Sequence, residues 1–465
     1  MYDGSIIYGE DKFREECGVF GIYAPGLDVA RLTYYGLYAL QHRGQESAGI
    51  AVADGKCVTV KKKLGLVSEI FPNPDYLDCM QGEAAIGHVR YSTRGGSSLA
   101  NAQPLLIKYR MGSLAVGHNG NLVNGSSLRK ELEGKGSIFQ TTTDSELIAH
   151  LIARQKETEV EEAIAGATPL LKGAYAFVLL TEKSLIGLRD PNGIRPLSLG
   201  RIKGGYVLAS ETCAFDIVGA EFIREVEPGE MVIIDSTGVR SRTLVQGQKK
   251  ALCIFEFIYF ARPDSNLEGQ NVHLVRKKLG RRLAREHYVE ADMVTGVPDS
   301  SIAAATGYAE EAGLPYEMGL IKNRYIGRTF IQPAQKMRDL GVKLKLNPVQ
   351  KIVEGKRVVL VDDSIVRGTT SQKIVKMLKN AGAREVHVRI SSPPVMGCCY
   401  YGIDTSKPDE LIAGRMSVEE ICKNIGADSL GYLSFAGMLE SVGLTNVDSC
   451  LACFDRCYPL SPEVD

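Results

Sequence analysis

Two adjacent acids followed by a glycine and two hydroxyls form the most chemically pointed stretch of this chain. Asp362 and Asp363 end the apolar run Val358 to Val361, and Ser364 and Arg367-Gly368-Thr369-Thr370 come next, within KRVVLVDDSIVRGTTS from Lys356 to Ser371. Ionised carboxylates accept hydrogen bonds from vicinal hydroxyls. A helix opening at Gly368 and carrying Ile374 and Leu378 offers free backbone N–H groups to a phosphate. Acids beside a phosphate cradle suit a phosphorylated sugar, and a metal-binding acidic turn is the plainer alternative. The segment lacks both the Lys-Ser/Thr ending of an ATPase phosphate loop and the GxGxxG of a dinucleotide fold. Far upstream, Cys17 opens a second apolar run, Gly18 to Ile22. Its plain reading is a buried cysteine acting as a small hydrophobe.

The elements that must position these residues follow from pattern. Val358 to Val361 reads as a parallel strand buried on both faces, with the acids at its carboxyl end, where open α/β sheets bind ligands. After Cys253 to Phe260, helical and strand patterns alternate, which predicts a parallel sheet with flanking helices. Upstream, Asp28 to Leu40 reads as a capped helix that Arg43-Gly44 could end. Ala174 to Leu180 and Met231 to Ile234 read as strands of a sheet. Asn119-Gly120 is a strong hairpin signal, and Thr143 with Glu146 spells a capping box for a helix from Ser145 to Gln155. The polar stretch Ser241 to Lys250 separates the two patterns.

With 465 residues, two or three domains are expected. Basic and acidic residues balance at 55 each, so charge gives no reason to expect nucleic acid or a membrane surface. The start of the chain carries acids and no long apolar core, and no later run is apolar enough for a bilayer; the expected location is the cytoplasm. The 11 cysteines are then expected to be free, catalytic or metal-bound.

The Lys356 to Ser371 stretch resembles the ribose-phosphate motif of type I phosphoribosyltransferases, which bind phosphoribosyl pyrophosphate (PRPP). That resemblance implies PRPP contacts from Asp362, Asp363, Ser364, Arg367, Gly368, Thr369 and Thr370. It also implies a pyrophosphate turn over Val294 to Ser301, and magnesium near Ser300, Asp362 and Asp363. The basic stretch from Lys322 to Gln332, with Lys343 and Lys345, would be a flap over PRPP that brings in Arg324, Arg328 and Lys345. Closure of such a lid keeps water from C1 of the ribose.

Cys17, Gln41-His42-Arg43-Gly44, Gly87-His88-Val89-Arg90-Tyr91, His118-Asn119-Gly120-Asn121 and Thr143-Asp144-Ser145-Glu146, in that order, resemble the glutaminase domain of class II glutamine amidotransferases. The resemblance implies an N-terminal αββα sandwich of the N-terminal nucleophile hydrolase type over residues 17–240, after a propeptide of residues 1–16 whose removal makes a zymogen active. A terminal amine with a pKa of about 7.7 to 8.0 can then take the thiol proton. Asn119 and the Gly120 N–H would stabilise the oxyanion, Arg90 would pair with the glutamine carboxylate, and Asp144 would accept from its ammonium. Arg43 would lie on the glutamine side of the nucleophile; Ser210-Glu211-Thr212 matches the family without an assigned role.

Both halves on one chain, the second an α/β parallel-sheet domain over 250–465, resemble the glutamine PRPP amidotransferase family. This implies that ammonia made from glutamine at Cys17 is carried to PRPP, past Tyr259 and Phe330, giving 5-phosphoribosylamine for purine synthesis. It further implies inhibition by AMP, GMP and related nucleotides, and a homotetramer. By spacing alone, Cys450 and Cys453 with distant cysteines could hold zinc or an iron–sulfur cluster. The family's iron–sulfur branch points to a [4Fe–4S] cluster on Cys253, Cys399, Cys450 and Cys453, with Cys398 able to replace Cys399 and Cys457 an extra neighbour.

Overall fold

A computed structural model describes residues 17–91, 98–246, 248–323, 346–403, 408–444 and 448–461. The expected propeptide, and Arg324, Arg328, Phe330, Lys343 and Lys345 of the expected flap, lie outside the described residues.

The first half is built on two antiparallel sheets packed face to face. Gly18–Tyr23, directly after Cys17, pairs with Gly205–Ala209 on one side and Ala84–Arg90 on the other, inside a seven-stranded sheet. Side chains of a strand alternate between its two faces, and here each face meets a different layer. Val19 joins Ala115, Ala176 and Val178 between the sheets, whereas Phe20 and Ile22 pack on Val29 and Leu37 of the helix Val29–Ala39. In the six-stranded sheet, Tyr175, Phe177 and Leu179 of Gly173–Leu180 face Leu147 and Ile148 of the helix Glu146–Arg154. The layers are therefore helix, sheet, sheet, helix. The strand Gly238–Thr243 still pairs with Glu230–Asp235, so this half runs past residue 240.

Two local expectations are corrected. Asn119-Gly120 makes no hairpin: both residues sit inside the long strand Gly112–Leu122, paired with Ala176 and Tyr175. Tertiary pairing overrides the turn signal, and the strand accommodates a φ of 138° at Gly120. Nor do Thr143 and Glu146 form a capping box. Ser145 is the N-cap, without a side-chain bond, and the Glu146 carboxylate instead accepts from the N–H groups of Gln140 and Thr141 at 2.8 to 3.2 Å.

The second half holds a four-stranded parallel sheet in the order Met293–Gly296, Arg357–Asp362, Glu385–Ile390, Ser429–Tyr432. Arg357–Asp362 is buried on both faces. Val359 and Val361 meet the helices Val272–Glu286 and Ile302–Ala312, while Val358 and Leu360 meet Thr369–Asn380 and Val418–Ile425. The halves share a core in which Val123, Ala174 and Ile194 are buried with Phe255 and Phe257.

The two helices on the first face cross backbone to backbone. A Cβ on Gly280 would lie 1.8 Å from the Ala304 carbonyl oxygen, and one on Gly307 would lie 2.0 Å from that of Lys277. Backbone cannot swing aside as a side-chain tip can, so Gly280→Ala is expected to destabilise the second half by at least about 1–3 kcal/mol. A lowered denaturation midpoint checks this, and an unchanged one would contradict the close crossing.

Candidate active sites

Cys17 lies immediately before its strand, 8% exposed, and its Sγ donates to the Tyr91 carbonyl at 3.4 Å. It lines a small cavity with Arg90, Gln103, His118, Gly120, Thr143 and Asp144, among others. Burial is the largest influence on the thiol and pushes its pKa up to about 11. Around it the polar groups are held in place. Arg90 donates to Glu46 at 2.6 Å, and the Asp144 carboxylate accepts from Leu122 N–H at 2.7 Å. Burial lowers the pKa of His118, whose Nδ1 lies 3.0 Å from the Ser145 hydroxyl. Asn119 is fully buried, and neither its Oδ1 nor its Nδ2 has a hydrogen-bond partner among the described residues. An amide left idle in a dry interior is costly unless something else completes it. At Gly120 a Cβ would meet the Ala174 carbonyl oxygen at 2.0 Å, so glycine is required.

Arg43 sits behind Cys17 rather than in the cavity lining. Its Nε donates to the Cys17 carbonyl at 3.2 Å. Its two terminal nitrogens bond to Glu256 at 2.9 and 2.7 Å, and one also bonds to Glu211 at 2.6 Å. Burial alone would lower the pKa of Arg43, but the carboxylates of Glu256 and Glu211 hold it above its ordinary value. Glu211 is held in turn by His42 at 2.7 Å, by the Arg262 N–H at 2.8 Å and by the Ser265 hydroxyl at 2.7 Å. Ser210 accepts from Val19 N–H at 3.0 Å. The Ser210-Glu211-Thr212 motif thus anchors the strand that follows Cys17.

In the second half, Asp362 and Asp363 end their strand as expected, both buried. The Ser301 hydroxyl donates to Asp362 at 2.9 Å and approaches Asp363 at 3.4 Å. Ser300, expected there, lies beside it with the two hydroxyls 3.4 Å apart. Ser364 donates to Asp363 at 2.8 Å. The helix Thr369–Asn380 opens after Gly368 with no side-chain cap, leaving the N–H groups of Thr369 and Thr370 at a helix N-terminus. Arg367 is paired with Glu410 at 2.8 Å, and Lys322 with Asp299 at 2.8 Å.

The distant cysteines converge. Leu252–Cys253 pairs in parallel with Ser449–Cys450, placing Cys253 opposite Cys450. Burial first, then the charges of neighbouring thiols, raise the pKa of Cys450 to about 12 and that of Cys453 well above its ordinary value. Cys399 acts on both, and on Cys253. Among the described residues no group of three or more such side chains is arranged around a single metal ion. The residues that the pattern reading missed are Glu46, Glu256 and Ser301. Glu256 and Ser301 lay in stretches already singled out, Cys253 to Phe260 and Val294 to Ser301, and Glu46 did not.

Comparison with known proteins adds independent findings. A glutamine amidotransferase domain family matches residues 88–216, and a phosphoribosyl transferase domain family matches 272–391. The amidophosphoribosyltransferase of Bacillus subtilis (strain 168) is 56% identical over 451 residues, covering 96% of this chain and 94% of that protein. That of Synechococcus elongatus is 53% identical over 460 residues, covering 97% and 93%. Among solved structures, an allosteric regulatory enzyme of purine biosynthesis superposes with a TM-score of 0.93 at 56% identity, covering 97% of each chain. The B. subtilis glutamine PRPP amidotransferase complexed with ADP and GMP gives 0.92 at 55%, covering 97% of this chain and 98% of that one.

With its thiol held up to about 11 by burial, Cys17 of the unprocessed chain is expected to react slowly with iodoacetamide near neutral pH. Because only the thiolate reacts, the rate should climb about tenfold per pH unit until that value. A midpoint near an unperturbed thiol's, about 8.5, would contradict the burial seen here.

Proposed function

The chain belongs to the amidophosphoribosyltransferase family, and on that premise we propose which of its residues carry the reaction. It is a glutamine amidotransferase and a phosphoribosyltransferase in one chain, acting at the first step of purine biosynthesis. Glutamine is hydrolysed and its ammonia joined to PRPP, giving 5-phosphoribosylamine, pyrophosphate and glutamate.

In our reading Cys17 is the nucleophile. The observation that carries this is the shared cavity of Cys17, Arg90, Gly120 and Asp144, with the idle Asn119 amide adjacent to Gly120 in the chain. In the full-length sequence the Cys17 nitrogen is tied up in a peptide bond to Glu16. Removal of residues 1–16 would turn it into a free amine able to take the thiol proton, which the raised thiol pKa makes necessary near neutrality. The thiolate attacks the amide carbon. Asn119 and the Gly120 N–H receive the oxyanion, while Arg90 and Asp144 hold the carboxylate and ammonium of the substrate. Arg43, expected beside glutamine, instead supports Cys17 from behind.

PRPP is assigned to Asp362, Asp363 and Ser364, with its 5-phosphate on the helix opening at Gly368. Arg324, Arg328 and Lys345 are assigned to the flap by their basic character in the sequence. The oxygen donors of Asp362, Asp363 and Ser300, with the Ser301 hydroxyl beside them, suit magnesium, which would neutralise pyrophosphate as it leaves. The buried Cys253, Cys450 and Cys453 and the half-buried Cys399, within reach of one another's charge, suit a [4Fe–4S] cluster that would clamp the tail. Cys399 is favoured because its charge acts on the other three. Purine nucleotides are proposed to compete at the phosphate cradle; the related B. subtilis enzyme has been solved with ADP and GMP. A cytoplasmic homotetramer completes the proposal. No described helix is long and apolar enough to cross a membrane.

Cys17→Ala is expected to abolish glutamine-dependent synthesis and keep ammonia-dependent synthesis, whereas Asp362→Ala should weaken both. Pyrophosphate release with glutamine labelled with nitrogen-15 at the amide, against release with ammonium chloride, reads the two apart. Equal loss of both in Cys17→Ala would refute the assignment. For the cluster, Cys399→Ser should remove the brown absorbance of anaerobically purified protein, and Cys398→Ser should leave it. The reverse result would exchange the two ligands.

A further inference from the structure

Glu256 belongs to neither substrate site, yet it is fully buried and ionically engaged. It opens a single π-helical turn, Glu256–Phe260, at the start of the second half. Both of its carboxylate oxygens accept from Arg43 of the first half, at 2.7 and 2.9 Å. Arg43 in turn reaches the Cys17 carbonyl through Nε. The turn is itself held from behind. Arg276, on the helix Val272–Glu286, donates to the Phe257 and Ala261 carbonyls at 2.8 Å each. A π-helical turn inside a packed core often marks a functional position, and this one is fixed at both ends.

The charges explain why the acid must be there. Arg43 lies between Glu211 and Glu256, and the Arg195 guanidinium stands 3.9 Å from Glu256, so two buried cations face two buried anions. Removing one acid leaves an uncompensated guanidinium that must move to find another acceptor. Arg43 cannot move without releasing the Cys17 carbonyl, the backbone group next to the thiol and to the amine exposed by processing.

We infer that Glu256 is a positioning residue for the glutamine half-reaction: a carboxylate supplied by the second half that fixes Arg43, and through it the backbone of the nucleophile. The glutaminase centre is therefore incomplete on residues 17–240 alone. This rests on Cys17 being the nucleophile.

The test uses processed, full-length Glu256→Gln, which keeps the shape and one acceptor and removes the charge. Three quantities are read: ammonia-dependent pyrophosphate release, glutamine-dependent kcat and KM, and the rate at which a diazoketone analogue of glutamine labels Cys17. A displaced nucleophile loses on the order of 10²-fold in rate. The expected result is that loss in glutamine-dependent kcat and in labelling, with KM for glutamine and ammonia-dependent release within about twofold of wild type. Glu256→Asp, which keeps the charge but shortens its reach, should show the same split less severely, and serves if the amide variant fails to fold. Labelling at the wild-type rate would overturn the positioning role. So would ammonia-dependent release falling in step with glutamine use, since that marks general structural damage. If the wild-type Cys17 is itself not labelled, the nucleophile assignment fails and this inference falls with it.

Discussion

A buried guanidinium gripped by two carboxylates is the interaction on which the arrangement of this molecule depends. Bringing Arg43, Glu211 and Glu256 out of water costs several kcal/mol per ion, and attraction offsets that cost only when the geometry is good and the remaining hydrogen-bonding capacity is filled. Here it is filled. Glu211 takes His42, the Arg262 N–H and Ser265 as well as Arg43. Such a group favours one arrangement sharply over its neighbours, because a shift of one member strands the others. The apolar contact of Val123 and Ala174 with Phe255 and Phe257 supplies bulk attraction between the halves; the ions supply the register.

How much of this could be read from the chain depends on the range of the contact. Elements defined by local pattern were legible: the doubly buried strand ending at Asp362, the helix beyond Gly368, the helix Val29–Ala39, and the order of glutaminase segments. Asn119-Gly120 and Thr143 to Glu146 misled for one shared reason. Their local signals are real, but sheet pairing with Tyr175 and Ala176, and backbone donors at Gln140 and Thr141, took the same groups for other bonds. Glu211 and Glu256 lie 168 and 213 residues from Arg43, and no periodicity spans such a gap. The bond from Ser301 to Asp362 was hidden differently: it joins the ends of two neighbouring strands, and no local pattern pairs a turn serine with an acid 61 residues on.

The cysteines occupy a middle position. A lone CxxC carried little weight, and the other members are separated by more than a hundred residues. What brings them together is a short parallel pairing of Leu252–Cys253 with Ser449–Cys450, backed by the Met396 and Gly397 N–H groups on the Cys453 carbonyl at 2.9 Å each. Burial raises the thiol pKa of Cys253 and Cys450, Arg195 beside them opposes that rise, and Arg195 donates to the Tyr401 carbonyl at 2.9 Å. Since Arg195 also stands near Glu256, the cysteine group and the support of Cys17 share one cation.

That parallel pairing also dictates an order of assembly. Residue 252 leaves the ribosome nearly two hundred residues before its partner at 449. Domains generally fold as units during synthesis, N-terminal first, so the sandwich can close while the seam beside it stays open. The strip that joins the two halves is sealed by residues made nearly two hundred positions later. A nascent chain that has not reached these residues therefore exposes the apolar segment around Phe255 and Phe257, and the arrival of Cys450 to Phe454 is the event that hides it.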